Sequence, residues 1–170
     1  MYLQGCFPNS YLHASRCQVG HSSRPYCRCM DGLTWPREGL YAAASGLPQC
    51  GLGLFTSNRR STGEEICSYH GRVLHGNPPK DADRTYLMRL AASVYIDAAE
   101  DLSAPGRYIN DCRNSNHHNV RFDKRPQEGR AVVIATREIN EGGELFADYG
   151  VLYWAGWRLA HPGQRPAKLS

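Results

Sequence analysis

Short runs of β-branched, aromatic and aliphatic residues recur along the chain from Gly39 onward, and each is bounded by Gly, Pro, Asn or Asp. Runs of this composition between turn residues are typical of β-strands. We therefore expect a mostly β domain built from several small sheets. The predicted strands lie in the segments GLYAA, GLGLFTS, EICSYHGRVL, TYLM, SVYID, NVRF and RAVVIATREI.

Helical patterns are scarce, so only a few short helices are expected. One candidate runs from Pro79 to Leu90, and a second is a single turn from Ala104 to Ile109. Ser103 is placed to cap that turn and Pro105 suits its first position. The last ten residues, HPGQRPAKLS, carry neither pattern and are predicted to be frayed.

The length of 170 residues suits one domain with short extensions. We divide it into an irregular, cysteine-rich segment (residues 1–38), a main domain (39–150), and an aromatic segment with a tail (151–170). No apolar stretch approaches the ~18–20 residues that span a bilayer, and the first residues lack the layout of a signal peptide. An intracellular protein that does not contact membranes is expected.

Seven cysteines are present, and four of them lie in the first 38 residues beside two histidines. In a reducing compartment we expect thiols or metal ligands rather than disulfides. Cys17, Cys27 and Cys29 are candidate ligands of a structural zinc ion. Their spacing is not that of a common zinc finger, so plain thiols remain the other interpretation. If the zinc site were the main feature, the chain would be a zinc-dependent interaction protein.

The net charge of +4 does not indicate nucleic-acid binding, because of where the charges lie. Residues 39–150 hold 13 Lys and Arg against 14 Asp and Glu, so the excess of positive charge belongs to the two ends. A nucleic-acid-binding domain usually gathers Lys and Arg on one face or along one helix. No such run occurs, and we expect no direct contact with nucleic acid.

Four separated segments carry the candidate chemistry. The first has two glycines before a strand, which leave the backbone open to a ligand; the last combines an acidic turn with Asp148, Tyr149 and Gly150. Taken in order, the four resemble the motifs of the SET family of protein lysine methyltransferases. The segments are GLGLF (51–55), SYHGRVL (68–74), GRYINDCRNSNHHNVRF (106–122) and INEGGELFADYG (139–150). The resemblance covers Gly39 to about Trp157.

The resemblance implies a SET fold of several small β-sheets, in which the last motif threads beneath a preceding loop as a C-terminal pseudoknot. It also implies transfer of a methyl group from S-adenosyl-L-methionine to a lysine of a protein or peptide substrate, with histone tails and a nuclear location as the first expectations. Cofactor and peptide would enter from opposite faces of the domain.

Site residues follow from the same resemblance, position by position. The implied catalytic residues are Tyr149 and Tyr69. The implied cofactor-binding residues are Gly51, Leu52, Gly53, Arg107, Asn110, Asp111, Tyr149 and Trp154, and the implied substrate channel adds Ala147, Phe146 and Tyr153.

Two residues depart from the family pattern. Asp111 stands where the family has His, and Ser68 stands where it has Glu. These departures leave open an alternative function, a catalytically inactive SET-like module that binds peptide or cofactor. If Asp111 is merely a tolerated substitution, Asp111→His should leave activity unchanged or raise it.

Physical chemistry agrees with tyrosines in a lysine channel. A free lysine has a pKa of about 10.4, so only ~0.1% is neutral near pH 7.4, a deficit of roughly 4 kcal/mol. An apolar channel lowers that pKa by desolvation, and aromatic ring faces attract methylammonium groups.

Two further features bear on the channel. Ala147 is smaller than the Tyr or Phe that the family uses to set the number of methyl groups, so di- or trimethylation is expected. Tyr153, Trp154 and Trp157 follow the last motif; they either cover the adenine or pack the core.

Overall fold

The computed structural model describes residues 33–79 and 82–170. These residues form three antiparallel sheets of three strands each, two 3-10 turns and one α-helix. The candidate zinc ligands Cys17, Cys27 and Cys29 lie outside the described residues, so their prediction is untested.

The first sheet contains β1 (Thr34–Trp35), β2 (Leu40–Ala44) and β3 (Leu52–Thr56) in that order. Strands β2 and β3 pair over their whole length, with Ala43 opposite Gly53. Both strands direct apolar side chains into the core, because Leu40, Leu52 and Leu54 are buried. This pairing places the glycine-rich motif on a strand whose register is fixed by apolar residues.

The second sheet has β9 (Arg130–Ala135) between β4 (Glu65–Tyr69) and β8 (Val120–Arg125). Every residue of β9 after Arg130 is buried, as expected for the central strand of a sheet that is covered on both faces. Tyr69 ends β4 opposite Ala131. The sheet therefore brings one of the two candidate catalytic tyrosines into the core.

The third sheet has β7 (Val94–Asp97) between β5 (Arg72–His75) and β6 (Leu87–Ala91). Strand β6 lies where the helix from Pro79 to Leu90 was predicted, and that prediction is wrong for the described residues. Leu87, Met88 and Leu90 are buried there. Tertiary burial of these residues against the core overrides a helical pattern that had no cap.

The single turn predicted between β7 and β8 is confirmed as a 3-10 turn over Pro105–Tyr108, but its cap is not. Ala104 occupies the cap position without a side-chain hydrogen bond. The Ser103 hydroxyl instead donates to Asp101. A second 3-10 turn spans Pro126–Glu128 between β8 and β9.

A helix that was not predicted, α1, spans Val151–Ala160 directly after the last motif. Its buried residues are Tyr153, Trp154 and Trp157, which recur at helical spacing on one face. Sequence reasoning treated these aromatic residues as a cluster without assigning the helix that presents them. Within the described residues, no helix is long and apolar enough to span a membrane.

The segment before α1 crosses the middle of the domain. Leu145 N–H donates to the Leu54 carbonyl of β3, while Phe146 and Ala147 form parallel bridges with Asn110 and Val120. The last motif thus lies between the first sheet and the 110–120 segment, the crossing that the pseudoknot prediction describes. With its small antiparallel sheets and few helical turns, the mostly β SET fold class is confirmed.

Two expectations about the periphery are wrong. The tail is docked rather than frayed, since Leu169 N–H donates to the Cys112 carbonyl and Arg113 donates to the Pro166 carbonyl. Ala167 and Leu169 also pack on a cluster that contains Cys112. Among the described cysteines, Cys50 is disulfide-bonded while Cys67 and Cys112 are free, so the expectation of thiols fails at Cys50.

Candidate functional site

Backbone and amide hydrogen bonds join three of the four motif segments at one place. The Asn110 amide nitrogen donates to the Leu52 carbonyl at 3.0 Å, and Ala147 N–H donates to the Asn110 carbonyl at 3.0 Å. Asn110 is buried, so both contacts are shielded from water. The predicted cofactor residue Asn110 therefore links the glycine motif to the last motif.

The two glycines of the first motif have different surroundings. Gly51 has a φ of +66°, and an added Cβ there would meet no atom within 4 Å. At Gly53 an added Cβ would collide with Glu144, whose carboxylate oxygens also contact Ser45 and the Gly46 N–H. Gly51 therefore offers open backbone, whereas Gly53 makes room for the last motif.

Tyr149 is 2% exposed, and its hydroxyl donates to the Ile109 carbonyl at 2.6 Å. Desolvation by burial, with the nearby Tyr153 and Asp111, raises the pKa of Tyr149 well above its ordinary value. The phenol therefore stays neutral at physiological pH. Because its single proton is engaged by Ile109, its oxygen lone pairs remain for an N–H donor.

Tyr69 repeats this arrangement on β4. It is 1% exposed and its hydroxyl donates to the Tyr86 carbonyl at 2.6 Å. Burial raises the pKa of Tyr69 above its ordinary value. Tyr69 and Tyr149 belong to the same core cluster, so the structure brings the two predicted catalytic residues into one buried region.

Helix α1 covers Tyr149 with aromatic rings. The Tyr153 ring lies edge-on at 4.8 Å and the Trp154 ring stacks at 6.2 Å with an interplanar angle of 14°. Trp157 lies 6.0 Å from Trp154 and stacks on His161 at 4.5 Å. These predicted residues therefore form a wall against the catalytic candidate, and their burial equally makes them part of the core.

Asp111 is the most heavily hydrogen-bonded of the predicted site residues. Its Oδ2 accepts from Tyr149 N–H at 2.9 Å and from Trp154 Nε1–H at 2.7 Å. Its Oδ1 accepts from Arg113 N–H at 2.7 Å and lies 2.8 Å from His118 Nε2. Its side chain is 1% exposed, so protein groups occupy both oxygens. Any cofactor contact at this residue would fall to its backbone.

Asp111, Cys112 and His118 bring potential metal-ligand atoms within 4.8 Å of one another. The Asp111 oxygens already have partners, and burial raises the pKa of the Cys112 thiol. The Cys112 Sγ is also engaged, since it donates to the Asn114 carbonyl at 3.5 Å. The group is therefore built as a hydrogen-bonded network.

Arg107 contacts residues that flank the strands of the third sheet. Its guanidinium sits 3.9 Å from the centroid of the Tyr86 ring and donates to the Ala99 carbonyl. Its Nε is buried without a hydrogen-bond partner among the described residues. The residue thus contacts the region around Tyr69 and Tyr86.

Two predicted substrate-channel residues on the last motif, Ala147 and Phe146, pack in different clusters. Ala147 is fully buried in the main core cluster, whereas Phe146 packs with Leu47, Cys50 and Cys112. Neither residue therefore belongs to the cluster that holds Tyr69 and Tyr149.

Sequence reasoning missed His118, and it matched Asn119 and Glu144 to the motifs without predicting their contacts. The Asn119 side chain accepts from Phe146 N–H and donates to the Glu144 carbonyl, which anchors the last motif. The polar run NSNHHN within the third motif was the available signal, since polar side chains in a loop often form hydrogen bonds to nearby backbone.

The family model of the SET domain matches residues 51–150, which is more than half of the chain. The match begins at the open glycine and ends at the glycine that follows Tyr149.

Similar proteins include N-lysine methyltransferase KMT5A-A of Xenopus laevis (27% identical) and of Danio rerio (26% identical), over 112 residues in each case. The match takes in 59% of this chain, and spans 33% and 32% of those two relatives. A chain in the crystal structure of an active polycomb repressive complex 2 in the stimulated state is 25% identical with a TM-score of 0.52. That similarity covers 66% of this chain and 15% of the other.

Proposed function

Because the chain belongs to the SET domain family, we propose that it is an S-adenosylmethionine-dependent methyltransferase that methylates a lysine side chain of a protein substrate. The similarity to N-lysine methyltransferases supports this activity. The observation that carries it is the buried Tyr149 phenol, which is neutral, tied to the Ile109 carbonyl and enclosed by aromatic rings.

The residues on the cofactor side fit the proposed group. At Gly51 the backbone is open where a side chain would otherwise lie. Leu52 and Gly53 continue this edge into β3, and Asn110 is held against it. These residues would hold the cofactor, with the Trp154 ring as a flat apolar surface at the other end. When bound, S-adenosylmethionine supplies an electrophilic methyl group on a sulfonium sulfur.

The chain's own task is to present an uncharged lysine amine in the correct orientation. The Tyr149 hydroxyl donates a hydrogen bond to the Ile109 carbonyl, and its oxygen can accept a hydrogen bond from an N–H of the amine. That contact leaves the nitrogen lone pair free to point away from the phenol. Holding the reacting atoms in this way can remove several kcal/mol from the barrier, on the order of 7 or more in well-oriented systems.

Neither tyrosine acts as a base in this mechanism. Burial raises the pKa of both Tyr69 and Tyr149, so neither supplies a phenolate near neutral pH. The lysine must therefore lose its proton to solvent on entry. The buried aromatic surroundings favour that loss, because desolvation disfavours the charged ammonium.

The substrate is proposed to be a protein or peptide, with a histone tail as the first candidate and the nucleus as the location. The slightly acidic composition of residues 39–150 supports a basic peptide. Di- or trimethylation is proposed as the end product, because Ala147 is smaller than the Tyr or Phe that the family pattern has at this position.

Two measurements test the proposal together. Calorimetry with S-adenosylmethionine should show one binding site, and labelled cofactor should transfer its methyl to a member of a histone panel or to a protein of a cell extract. The Tyr149→Phe variant is the control for transfer. Cofactor binding without any transfer would support the inactive module and contradict the proposed activity.

The N-terminal cysteines add a separate proposal of a structural zinc ion at Cys17, Cys27 and Cys29. The binding energy of a structural metal ion contributes to the stability of the fold. A chelator should therefore remove the zinc and lower the melting temperature. Metal analysis that finds below about 0.2 equivalents in fresh protein would contradict the site. Zinc binding without cofactor binding would favour the zinc-dependent interaction protein.

A further inference from the structure

The Asp111 network consists of Asp111, Arg113, His118, Tyr149 and Trp154. Four nitrogen atoms surround one carboxyl group, two on each oxygen, at 2.7–2.9 Å. Three are N–H groups that can only donate, and the fourth, His118 Nε2, donates when it carries its proton. The network therefore joins the third motif to the last motif and to α1.

We propose that Asp111 is a positioning residue for methyl transfer, an inference that rests on the proposed function. One oxygen, Oδ2, holds both the backbone of Tyr149 and the indole of Trp154. The Tyr149 hydroxyl is held separately by Ile109. The ring is thus fixed at both ends, and the stacked Trp154 ring is fixed relative to it.

The chemistry of the side chain explains why a carboxylate suits this position. A neutral imidazole has one acceptor nitrogen, whereas a carboxylate has two oxygens with about four lone-pair sites. A His at position 111 could accept from Tyr149 N–H or from the Trp154 indole, but not from both. The departure from the family pattern at Asp111 is therefore matched to Trp154 on α1.

Partners on the other oxygen make the buried carboxylate tolerable. A buried carboxyl without donors is costly, and the Arg113 amide and His118 supply them on Oδ1. The Arg113 guanidinium is used elsewhere, since it lies 5.0 Å from the Trp154 ring and donates to Pro166. His118 is thus the side chain that completes the network.

Kinetics of Asp111→Asn separate positioning from a purely structural role. Asparagine presents an amide nitrogen where one oxygen stood, so at least one donor loses its acceptor. We expect kcat to fall about tenfold, the loss of one hydrogen bond to a charged group. The Kd for S-adenosylmethionine should stay within about threefold, since the effect lies in orienting the lysine side. A structural role alone would lower the melting temperature and leave the kcat of the folded protein unchanged.

A double-mutant cycle tests the match to Trp154. Asp111→His should lower kcat about tenfold in the wild-type background but at most about threefold in the Trp154→Phe background, where the indole donor is gone. Equal losses in the two backgrounds would overturn the proposal. Asp123→Asn, the same change at a half-exposed carboxylate on β8, is the control and should leave kcat unchanged.

A spectroscopic measurement needs no activity. The indole N–H resonance of Trp154, identified by its disappearance in Trp154→Phe, should shift in Asp111→Asn while those of Trp35 and Trp157 stay in place. An unchanged Trp154 resonance in Asp111→Asn would overturn the proposal. If Asp111→Asn fails to fold, full kcat in Trp154→Phe would overturn it instead. Wild-type protein that transfers no methyl would instead defeat the proposed function, while full kcat in folded Asp111→Asn would defeat only the role of Asp111.

Discussion

The two clustered tyrosines, Tyr69 and Tyr149, are buried like the Asp111 network, but the two regions use their polar atoms in opposite ways. Each tyrosine hydroxyl donates to one carbonyl and keeps acceptor capacity in otherwise aromatic surroundings. The Asp111 carboxyl accepts from three N–H groups and has His118 Nε2 as a fourth nitrogen partner at 2.8 Å, so its lone-pair sites all face protein groups. The first arrangement can receive a guest amine, whereas the second can only hold neighbouring parts of the protein in place.

Among the changes in these two regions, removal of the Tyr149 hydroxyl should lower turnover the most. Tyr149→Phe keeps the ring and its stacking but removes the atom proposed to orient the amine. We expect turnover to fall at least ~100-fold, measured with labelled cofactor. Tyr95→Phe, at a half-buried tyrosine of β7, is the matched control. Near-normal turnover by folded Tyr149→Phe would remove this residue from the mechanism.

A larger side chain at Ala147 should lower the number of methyl groups that are added to the lysine. Ala147 is fully buried, and added methyl groups need room to rotate about the lysine end. We expect the wild-type protein to produce di- or trimethyllysine and Ala147→Tyr to stop mainly at monomethyllysine. Mass spectrometry of a saturated reaction measures this. Exclusive monomethylation by the wild-type protein would contradict the expected size of the pocket.

The pH dependence should distinguish a neutral phenol from a basic one. Because burial raises the pKa of Tyr149 well above its ordinary value, Tyr149 does not titrate between pH 6 and 9, a window below the usual tyrosine pKa of about 10. The neutral fraction of the substrate lysine rises about tenfold per pH unit below its own pKa. We expect kcat/KM to rise with this slope in both wild type and Tyr149→Phe. A slope that disappears in the variant would indicate that Tyr149 is the titrating base.

The packing beside Tyr69 can be disturbed at Gly106. An added Cβ would lie 3.0 Å from the Ser68 carbonyl oxygen and 3.1 Å from the Tyr69 Cα. The 3-10 turn is therefore packed directly on β4. Gly106→Ala should lower the free energy of unfolding by about 1–3 kcal/mol, measured by urea denaturation. A loss below about 0.5 kcal/mol would show that the turn and strand can separate cheaply.

Loss of a surface ion pair outside both regions should change the free energy of unfolding the least. Arg59 and Glu138 form a salt bridge at 2.6 Å with side chains 68% and 64% exposed. Water screens such a pair, so Arg59→Ala should change the free energy of unfolding by less than about 0.5 kcal/mol. A loss above about 1 kcal/mol in the same denaturation assay would contradict this view of the surface.

The sequence predicted what local pattern and motif determine. Apolar runs bounded by turn residues placed the strands, including the buried run of β9, and the motif order indicated the fold. It also singled out Tyr69 and Tyr149, which the structure brings into one cluster. Local pattern gave two interpretations of residues 85–88, the strand TYLM and part of a helix, and the burial of Leu87 and Met88 in β6 favours the strand.

Features that depend on long-range partners escaped prediction. The partners of Asp111 lie 2, 7, 38 and 43 positions away in sequence, so the sequence showed only a departure from the family pattern. It favoured restoring His at that position, whereas the network favours a loss of activity in Asp111→His. The docked tail escaped for the same reason, because its contacts reach back to Cys112 and Asn114.

The proposed activity places a methyl group on one atom, the ε-nitrogen of a substrate lysine. The most direct measurement is tandem mass spectrometry of substrate treated with wild-type protein and S-adenosylmethionine carrying a deuterated methyl group. We predict a deuterated methyl group on a lysine ε-nitrogen, and we expect much less of this product with Tyr149→Phe. Label on another residue type, or equal labelling by wild type and Tyr149→Phe, would contradict it.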